Sequence, residues 1–358
     1  MTIADAPSPE GPDGGSYAQA GVDIAAAESL VPRFAELARR SHRPEVLASV
    51  GPFSGLFNLL GYRDPVLVAS ADGVGTKLKL AALTGSYESL GHDLVNHGVN
   101  DILTAGAEPL FFLDYIGGHD LSDEAKVALV RGVSDACLES GCALLGGETA
   151  DMPGLYAAGD FDLVGFMVGC VERTAVIDGS RIEAGDTLLA LPSNGLHTNG
   201  YSLARRVFGV GVGGDPDDER ERLGRHYDEL GEALGDALLR PHRSYLPALK
   251  PILPQLKGIA HITGGGIPGN LPRILPSGLA ASIDRTAWEV PAIFRLIQKQ
   301  GDVPDDEMYR VFNMGLGLIL AVAPENTHAV RAALPEALLI GEVLQEQEET
   351  QVVWKDQA

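Results

Sequence analysis

Short apolar runs alternate with amphipathic helical patterns along most of this chain, and this alternation restricts the fold to a class that mixes helices and strands. Ile24 to His42 carries apolar residues at helical spacing, whereas Val66 to Ala71 is a partly β-branched run typical of a strand. A helical pattern from Leu90 to Ala105 and an apolar run from Leu110 to Ile116 continue the alternation. We therefore predict an α/β architecture with mixed (α+β-like) sheets in which antiparallel hairpins occur.

The same alternation begins again after a turn-rich stretch from Asp178 to Asp186, which indicates a second domain. The length of 358 residues agrees, since it corresponds to about two domains of roughly 150 residues each. We predict a first domain over residues 16–171 and a second over residues 172–345. Residues 1–15, rich in Pro and Gly, are expected to form a disordered extension, and residues 346–358 a tail.

The charge balance limits the partners of the chain. Its 49 acidic residues outweigh 27 Lys and Arg residues, so the formal net charge is −22. Repulsion then argues against nucleic acid and against an anionic membrane surface. A polyanionic ligand would need metal ions or a few well-placed cations. The chain has three cysteines and no Cys-x-x-Cys pair, so neither a disulfide framework nor a cysteine-based zinc site is indicated.

The distribution of apolar residues argues against membrane insertion or export. The N-terminus shows neither the basic segment nor the apolar segment of a signal peptide. The longest uncharged apolar run, Val311 to Ala323, is shorter than the ~18 residues that a spanning helix needs. We expect a cytoplasmic protein in which this run forms a buried strand.

The segment Ser70 to Lys77 places a carboxylate, two glycines, a hydroxyl and an ammonium within eight residues. It is not a Walker P-loop, because the Gly-Lys-Ser/Thr order is missing and Asp72 stands where backbone N–H groups would cradle an anion. A carboxylate at that point repels phosphate unless a cation lies between them. The segment therefore predicts a metal ion as well as a phosphate.

Two further carboxylates stand at the ends of predicted elements: Asp101, which follows Asn100 on a helix, and Glu148, in a glycine-rich loop after a strand. Together with Asp72 they predict a Mg²⁺ site, because magnesium prefers oxygen ligands and bridges carboxylates to substrate phosphates. For Asp72 and Asp101 taken singly, the alternative is a local cap or ion pair, the commoner role of carboxylates at such positions. Lys77 is consistent either with a solvated side chain or with a point charge that reaches a phosphate.

Two loops in the second half have the composition of ligand-binding segments. Ser193 to Gly200 leads into a helix that begins near Tyr201, and its polar groups suit an anion. Within it, His197 is either a hydrogen-bonded turn residue or a group that titrates near neutrality and acts on substrate. Gly264 to Gly266 follows a strand and is either a flexible turn or a place where backbone approaches a phosphate closely.

Taken together, these segments resemble the phosphoribosylformylglycinamidine cyclo-ligase family, also called aminoimidazole ribonucleotide synthetases, from about Ser16 to Val343. Six segments in order carry the resemblance: Ser16-Tyr-x-x-Ala-Gly-Val-Asp-Ile24, Asp72-Gly-Val-Gly-Thr-Lys77, Asn100-Asp101 with Gly106-Ala-Glu-Pro-Leu-Phe-Phe-Leu-Asp-Tyr115, Gly146-Gly-Glu-Thr-Ala150, His197-Thr-Asn-Gly-Tyr-Ser202 and Thr263-Gly-Gly-Gly266.

The resemblance implies a fold and a reaction. In this family the N-terminal α/β domain dimerises so that its strands build a shared β-barrel, and a C-terminal α/β domain packs against it with the active site in the cleft between them. The reaction converts ATP and formylglycinamidine ribonucleotide into aminoimidazole ribonucleotide, ADP and phosphate, a step of purine synthesis. The implied partners are these two substrates, Mg²⁺ and a second copy of the chain.

The resemblance also implies roles for individual residues. Asp72, Asp101 and Glu148 would bind Mg²⁺, and His197, Asp101 and Lys77 would be catalytic. The remaining expected contacts are Asp72, Gly73, Gly75, Thr76, Lys77 and Asn100 to ATP, and Ser193, Asn194, His197, Asn199, Gly264, Gly265 and Gly266 to the ribonucleotide.

One departure from the family pattern and two rival functions stay open. Many relatives carry Lys where this chain has Ala18, and Arg39, Arg40 and Arg43 are possible substitutes for its charge. The rivals are another ATP-dependent enzyme of the superfamily, such as thiamine-phosphate kinase, and a non-catalytic nucleotide-binding sensor. The positions of the cysteines argue against a selenophosphate synthetase, which would place Cys or selenocysteine near its N-terminus; here the first is Cys137.

Overall fold

The computed structural model describes residues 24–345 and 351–355. The expected extension (1–15) and the first of the six family segments up to residue 23 lie outside the described residues. The helices are α1 (Ile24–Arg39), α2 (Leu78–Thr84), α3 (Tyr87–Leu103), α4 (Asp123–Ser140), α5 (Tyr201–Phe208), α6 (Pro216–Gly224), α7 (Leu234–Leu239), α8 (Leu246–Leu249), α9 (Gly266–Asn270), α10 (Ala292–Gly301), α11 (Asp305–Val311) and α12 (Thr327–Ala333).

The strands divide between two main sheets and two short hairpins. They are β1 (Val46–Ala48), β2 (Leu56–Phe57), β3 (Pro65–Gly73), β4 (Glu108–Gly118), β5 (Ala143–Asp151), β6 (Phe161–Glu172), β7 (Thr187–Pro192), β8 (His226–Tyr227), β9 (Glu232–Ala233), β10 (Leu256–His261), β11 (Leu279–Ile283), β12 (Leu316–Val322), β13 (Leu338–Gln345) and β14 (Val352–Trp354).

The first main sheet has the order β3-β6-β4-β5, with a parallel pair between β4 and β5 and antiparallel pairs elsewhere. Helices α3 and α4 pack against each other beside it, and their close approach requires glycine. A Cβ atom on Gly132 would lie 2.0 Å from the carbonyl oxygen of Glu88. Across β3 and β6 the sheet leaves apolar side chains uncovered, among them Leu67 at 61% exposure and Phe166 at 43%.

The second main sheet has the order β10-β12-β7-β13-β11-β14. Every residue of β12 is buried, which confirms the buried strand expected within Val311 to Ala323. One expectation is wrong: part of the segment assigned to a tail belongs to this sheet, because Val352–Trp354 pairs in parallel with β11. Val352 is buried there, so the pairing adds apolar contact as well as ladder hydrogen bonds.

Helix α4 carries typical capping residues at both ends. The Ser122 hydroxyl accepts a hydrogen bond from the Ala125 N–H, and Gly141 ends the helix with a φ of +69°. The acidic helix α6 lies at the surface, but its Glu219 is buried and accepts hydrogen bonds from the N–H groups of Gly211, Val212 and Gly214. Among the described residues no helix combines the length and the apolar character needed to cross a membrane.

Asp114 on β4 is a buried acid whose pKa burial raises to about 7. Between about pH 4 and 7 the unfolded chain is ionised at this residue while the folded chain keeps the proton. The contribution of Asp114 to the free energy of unfolding therefore falls by about 4 kcal/mol as pH rises from 4 to 7, and it stays constant above pH 7.

Asp114→Asn is therefore expected to gain stability over the parent as pH rises from 4 to 7, with a constant difference above that. Urea unfolding at several pH values measures the difference, and Glu221→Gln on exposed α6 is the charge-matched control. A difference that does not change with pH would mean that Asp114 ionises at an ordinary pKa.

Candidate active site between the two sheets

A cleft of about 450 Å³ lies where β3 and α3 of the first domain face β10 and the loop after it in the second. Ser70, Asp72 and Asp101 line it from the first domain. His261 and Arg273 line it from the second. Carboxylates thus stand on one wall and a guanidinium on the other, which suits a ligand that carries phosphate groups bridged to a cation.

Asp72 and Asp101 come together through His97. Asp72 lies near the end of β3, and His97 and Asp101 are one turn apart on the same face of α3. His97 Nε2 is 3.1 Å from Asp72 Oδ2 and 3.7 Å from Asp101 Oδ2. Asp101 also accepts hydrogen bonds from Ser70 Oγ at 2.7 Å and from His261 Nδ1 at 2.8 Å. This network holds the two carboxylates at one end of the cleft.

The electrostatics of this network favour charged carboxylates. Desolvation is the largest single influence on both carboxylates and opposes their ionisation, but at Asp72 the hydrogen bond and the charge of His97 together with the Gly73 N–H outweigh it and lower the pKa. The pKa of Asp101 is also lowered, because the hydrogen bonds from His261 and Ser70 and the charges of His97 and His261 together outweigh desolvation. Desolvation likewise opposes the cationic form of His97, yet Asp72 and Asp101 raise its pKa. Two anionic carboxylates beside an open cleft are oxygen ligands of the kind that Mg²⁺ prefers.

Lys77 does not enter this cleft. Its side chain is 0% exposed, and Nζ lies 2.7 Å from Asp93 Oδ2 and 2.8 Å from the carbonyl oxygen of Arg240. Burial lowers the pKa of Lys77 and raises that of Asp93, while the attraction between them opposes both shifts. Asp93 also accepts a hydrogen bond from the His242 N–H. The ammonium expected to meet a phosphate instead ties the first domain to the second.

Glu148 is not close to the other two carboxylates within one chain. The register places Asp72 opposite Gly165, Gly165 opposite Asp114, and Asp114 opposite Gly147, so three strand spacings separate β3 from β5. At about 4.8 Å per spacing this is roughly 14 Å. Glu148 lines a separate cavity of about 330 Å³ with Lys126 and Asp151.

The glycine-rich segments expected to bind ATP and the ribonucleotide do meet. A Cβ atom on Gly264 would lie 3.2 Å from Asn199 Oδ1, and one on Gly75 would lie 3.7 Å from the carbonyl oxygen of Thr198. The hydroxyls of Thr76 and Ser202 are 3.2 Å apart. Gly73 donates its N–H to Asp72 Oδ1. Loops distant in sequence therefore converge beside the cleft.

Several of the expected ligand contacts already have partners within the protein. Ser193 Oγ hydrogen bonds Gly195 O and Asn313 Oδ1 at 3.0 Å each, and Asn194 Nδ2 donates to Pro241 O. Gly265 has a φ of +96°, and Gly266 packs so tightly that an added Cβ would lie 1.9 Å from Tyr309 O. These residues shape the loops, which leaves backbone groups and few free side chains to meet a ligand.

Asn100 and His197 also lie inside the protein. Asn100 Nδ2 donates to Arg243 O at 2.8 Å, and its Oδ1 accepts from the Tyr245 N–H at 3.0 Å. His197 is 1% exposed and has a φ of +62°, a conformation uncommon for residues other than glycine. Burial lowers its pKa well below the ordinary value, so the imidazole is neutral at pH 7. It does not line the 450 Å³ cleft.

Sequence reasoning missed four residues of this region: His97, His242, His261 and Arg273. A signal existed for His97, which lies one turn before Asp101 on the polar face of a helix. The other three stand far from the carboxylates in sequence. Only the packing of the two domains brings them to the same place.

Comparisons with known proteins agree with this architecture. The model for AIR synthase related protein, N-terminal domain, matches residues 59–171, and the model for the C-terminal domain matches residues 183–353. A phosphoribosylformylglycinamidine cyclo-ligase of Desulfitobacterium hafniense (strain DSM 10664 / DCB-2) is 48% identical, covering 92% of this chain and 97% of its own length. One of Myxococcus xanthus (strain DK1622) is 52% identical, covering 87% and 90%.

Solved structures share the fold at much lower identity. A thiamine-monophosphate kinase from Stenotrophomonas maltophilia K279a matches with a TM-score of 0.65 at 18% identity, covering 91% of this chain and 96% of that one. The hydrogenase maturation protein HypE in complex with ATP matches with a TM-score of 0.64 at 17% identity, covering 94% and 93%. At such identities the likeness concerns the fold alone. The family models and the relatives near 50% identity are decisive: this chain belongs to the phosphoribosylformylglycinamidine cyclo-ligase family.

Proposed function

We propose that the chain catalyses the ATP-dependent cyclisation of formylglycinamidine ribonucleotide to 5-aminoimidazole ribonucleotide, with release of ADP and phosphate, a step of purine biosynthesis. One observation carries the proposal: a chain about 50% identical to named cyclo-ligases places two anionic carboxylates, Arg273 and a glycine-rich loop around a single interdomain cleft. Each of these groups has a task in the reaction.

The reaction must solve a leaving-group problem, because an amide oxygen does not depart as oxide. Transfer of the γ-phosphoryl group from ATP to that oxygen releases ADP, and the amide nitrogen loses its proton as the C=N bond of an iminophosphate forms. The amidine nitrogen then attacks the activated carbon of the same molecule. A carbon–nitrogen bond forms, the carbon–oxygen bond breaks, and phosphate leaves while the attacking nitrogen loses a proton. Ring closure within one molecule profits from proximity, so the protein mainly positions the ligands and balances their charge.

In this proposal Asp72 and Asp101 hold Mg²⁺, which when bound supplies positive charge to the ATP phosphates. The fit rests on two ionised carboxylates at the end of an open cleft, both oriented by histidines. Glu148 is left out of this metal site, since three strand spacings separate it from Asp72 within one chain. Lys77 is left out of the phosphate contacts, since its donors are used by Asp93 and Arg240.

The second wall of the cleft is assigned to the ribonucleotide. Arg273 supplies a guanidinium that can bind a phosphate in bidentate fashion, and it lies beside Asn270, which hydrogen bonds the carbonyls of Gly264 and Gly266. The loop from Ser193 to Asn199 meets this wall at Gly264. In this proposal the ribonucleotide lies opposite the carboxylates that bind ATP through Mg²⁺, so that a phosphoryl group can pass from ATP to the ribonucleotide.

We also propose that the chain acts as a homodimer through the uncovered face of the first sheet. Leu67 and Phe166 expose apolar surface there on neighbouring strands, and burial against a second copy would remove it from water. The molar mass by light scattering measures this; a value equal to that of one chain at micromolar concentration would contradict the dimer.

The activity is tested with purified protein, ATP, Mg²⁺ and formylglycinamidine ribonucleotide, followed for ADP and the aminoimidazole product. The expected result is one product molecule for each ADP. A non-catalytic sensor would bind ATP without product, and a thiamine-phosphate kinase would form ADP only with thiamine phosphate. Absence of ADP formation dependent on the ribonucleotide would disprove the cyclo-ligase function.

A further inference from the structure

Three histidines from separate segments of the second domain converge at the domain boundary, next to the cleft. His197 lies in the loop after β7, His242 between α7 and α8, and His261 at the end of β10. All three are buried, and each offers one ring nitrogen within 4.8 Å of the other two. We call these residues the histidine triad. The rings of His197 and His242 stack at 3.9 Å, and the Nε2 atoms of His242 and His261 are 3.2 Å apart.

The hydrogen bonds of His242 determine which of its nitrogens carries a lone pair. Asn100 has a fixed orientation, because its Oδ1 accepts from the Tyr245 N–H and its Nδ2 donates to Arg243 O. The second hydrogen on Asn100 Nδ2 is directed to His242 Nε2 at 3.1 Å. His242 Nε2 is therefore an acceptor, and the ring proton sits on Nδ1, 3.4 Å from Thr198 Oγ1.

The same reasoning applies to His261. Its Nδ1 lies 2.8 Å from Asp101 Oδ1, and an ionised carboxylate only accepts, so Nδ1 carries the proton. In the neutral ring the Nε2 atom of His261 then has a lone pair. The Nε2 lone pair of His261 therefore lies 3.2 Å from His242 Nε2, whose own lone pair accepts the hydrogen bond from Asn100, and no proton is left to join the two ring nitrogens.

His197 brings a further ring nitrogen to the same place and, unlike His242 Nε2, it accepts no hydrogen bond. Among the described residues neither of its buried ring nitrogens has a hydrogen-bond partner. Leaving a buried polar group unpaired is costly, and the φ of +62° adds backbone strain. A side chain held in this way at a cluster of lone pairs is an observation that points to a ligand.

We propose that the histidine triad binds one divalent transition-metal ion of the zinc class, at a site separate from the Mg²⁺ carboxylates. Imidazole nitrogens favour Zn²⁺, Co²⁺ or Ni²⁺ over Mg²⁺. Two ligands at about 2.0–2.1 Å from a tetrahedral ion are roughly 3.3 Å apart, close to the observed 3.2 Å. An imidazole binds a metal in the plane of its ring, so His197 has to turn out of its stack with His242 to direct a nitrogen at the same ion, and its nitrogens have no hydrogen bond to break. At His242 the ion would replace the hydrogen bond from Asn100 to Nε2.

The groups behind the triad match those behind known metal-binding histidines, which donate their second N–H to a carboxylate or another oxygen. His261 donates to Asp101, and His242 faces Thr198 Oγ1. The ion would bind His261 on the second domain while Asp101 on the first holds the same ring. The His261 ring would therefore connect an ion in the histidine triad with Asp101 in the cleft, across the domain boundary.

The test uses the full-length chain, stripped of metal with a chelator and titrated with Co²⁺ in millimolar Mg²⁺, without nucleotide or substrate. Visible ligand-field absorption should saturate at one Co²⁺ per chain and disappear on addition of Zn²⁺. Elemental analysis after dialysis against Zn²⁺ should give one zinc per chain. Because no activity is measured, the result is independent of the proposed reaction.

Variants locate the ion. His242→Gln and His197→Asn should each weaken Co²⁺ binding by more than about 100-fold, beyond the 10–100-fold typical of outer contacts. Asn is chosen at position 197 because it tolerates positive φ. Exposed His226→Gln is the matched control and should bind like the parent. Circular dichroism shows whether the variants fold. If His242→Gln does not fold, the affinity of His197→Asn decides the question.

Three outcomes would overturn the site. Lack of saturable binding by the parent would mean that a proton alone lies between the two Nε2 atoms. Equal affinity in His242→Gln, His197→Asn and the parent would place the ion elsewhere. Displacement of Co²⁺ by millimolar Mg²⁺ would assign it to Asp72 and Asp101.

Discussion

Asp101→Asn is expected to lower kcat by about 10²–10³-fold, the range observed when one preorganised electrostatic contact is lost. Asn keeps the shape of Asp101 and can still accept the hydrogen bond from Ser70 Oγ, but it removes the negative charge that would hold Mg²⁺ beside Asp72. The Mg²⁺ concentration for half-maximal rate should rise as well. Steady-state kinetics at several Mg²⁺ concentrations measure both effects.

The control for this variant is Asp228→Asn, which removes the same charge from a fully exposed position. It should leave kcat and the Mg²⁺ dependence unchanged. Thermal unfolding shows whether Asp101→Asn is folded under assay conditions. A folded Asp101→Asn variant with near-normal kcat and an unchanged Mg²⁺ dependence would remove Asp101 from the metal site.

Lys77→Met is expected to cost about 3–5 kcal/mol of folding free energy, the range for breaking one side of a buried ion pair. The substitution leaves Asp93 at 0% side-chain exposure without its 2.7 Å counter-charge. It also leaves the Arg240 carbonyl without the hydrogen bond that crosses the domain boundary. Chemical denaturation measures the loss.

A double variant separates the ion pair from a role in catalysis. Lys77→Met with Asp93→Leu should recover much of the lost stability, because no unpaired charge remains buried. Lys79→Met is the matched control: its ion pair with Asp160 is partly exposed and should contribute less than about 1 kcal/mol. A Lys77→Met variant of normal stability with a raised KM for ATP would instead support the phosphate contact expected from the sequence.

The two lysines show why a local motif can mislead about a side chain. Lys77 and Lys79 are two residues apart, at the start of the same helical segment, and the sequence offers no reason to bury one of them. Asp93 follows 16 residues later and looks like part of a polar helix face. Lys77 and Asp93 become buried only when the Arg240 to His242 segment of the second domain packs over them.

The carboxylates show what residue spacing reveals about a site and what strand order alone decides. Asp101 follows His97 by one helical turn, so their common face is readable from spacing, and Asp72 is readable as the end of a strand. The sequence does not state which strands are neighbours. The order β3-β6-β4-β5 puts Glu148 three strands away from Asp72, although both end an apolar run beside glycines.

By itself the sequence determined the family, the α/β class, several of the long helices and strands, and the glycine-rich segments beside the cleft, because periodicity and motifs are local properties of the chain. Tertiary structure alone decided three matters: the burial of Lys77, the separation of Glu148 and the meeting of His197, His242 and His261. Each depends on strand order and on how two domains pack. These are long-range contacts, whose free energy comes from burial across the boundary and not from any local pattern.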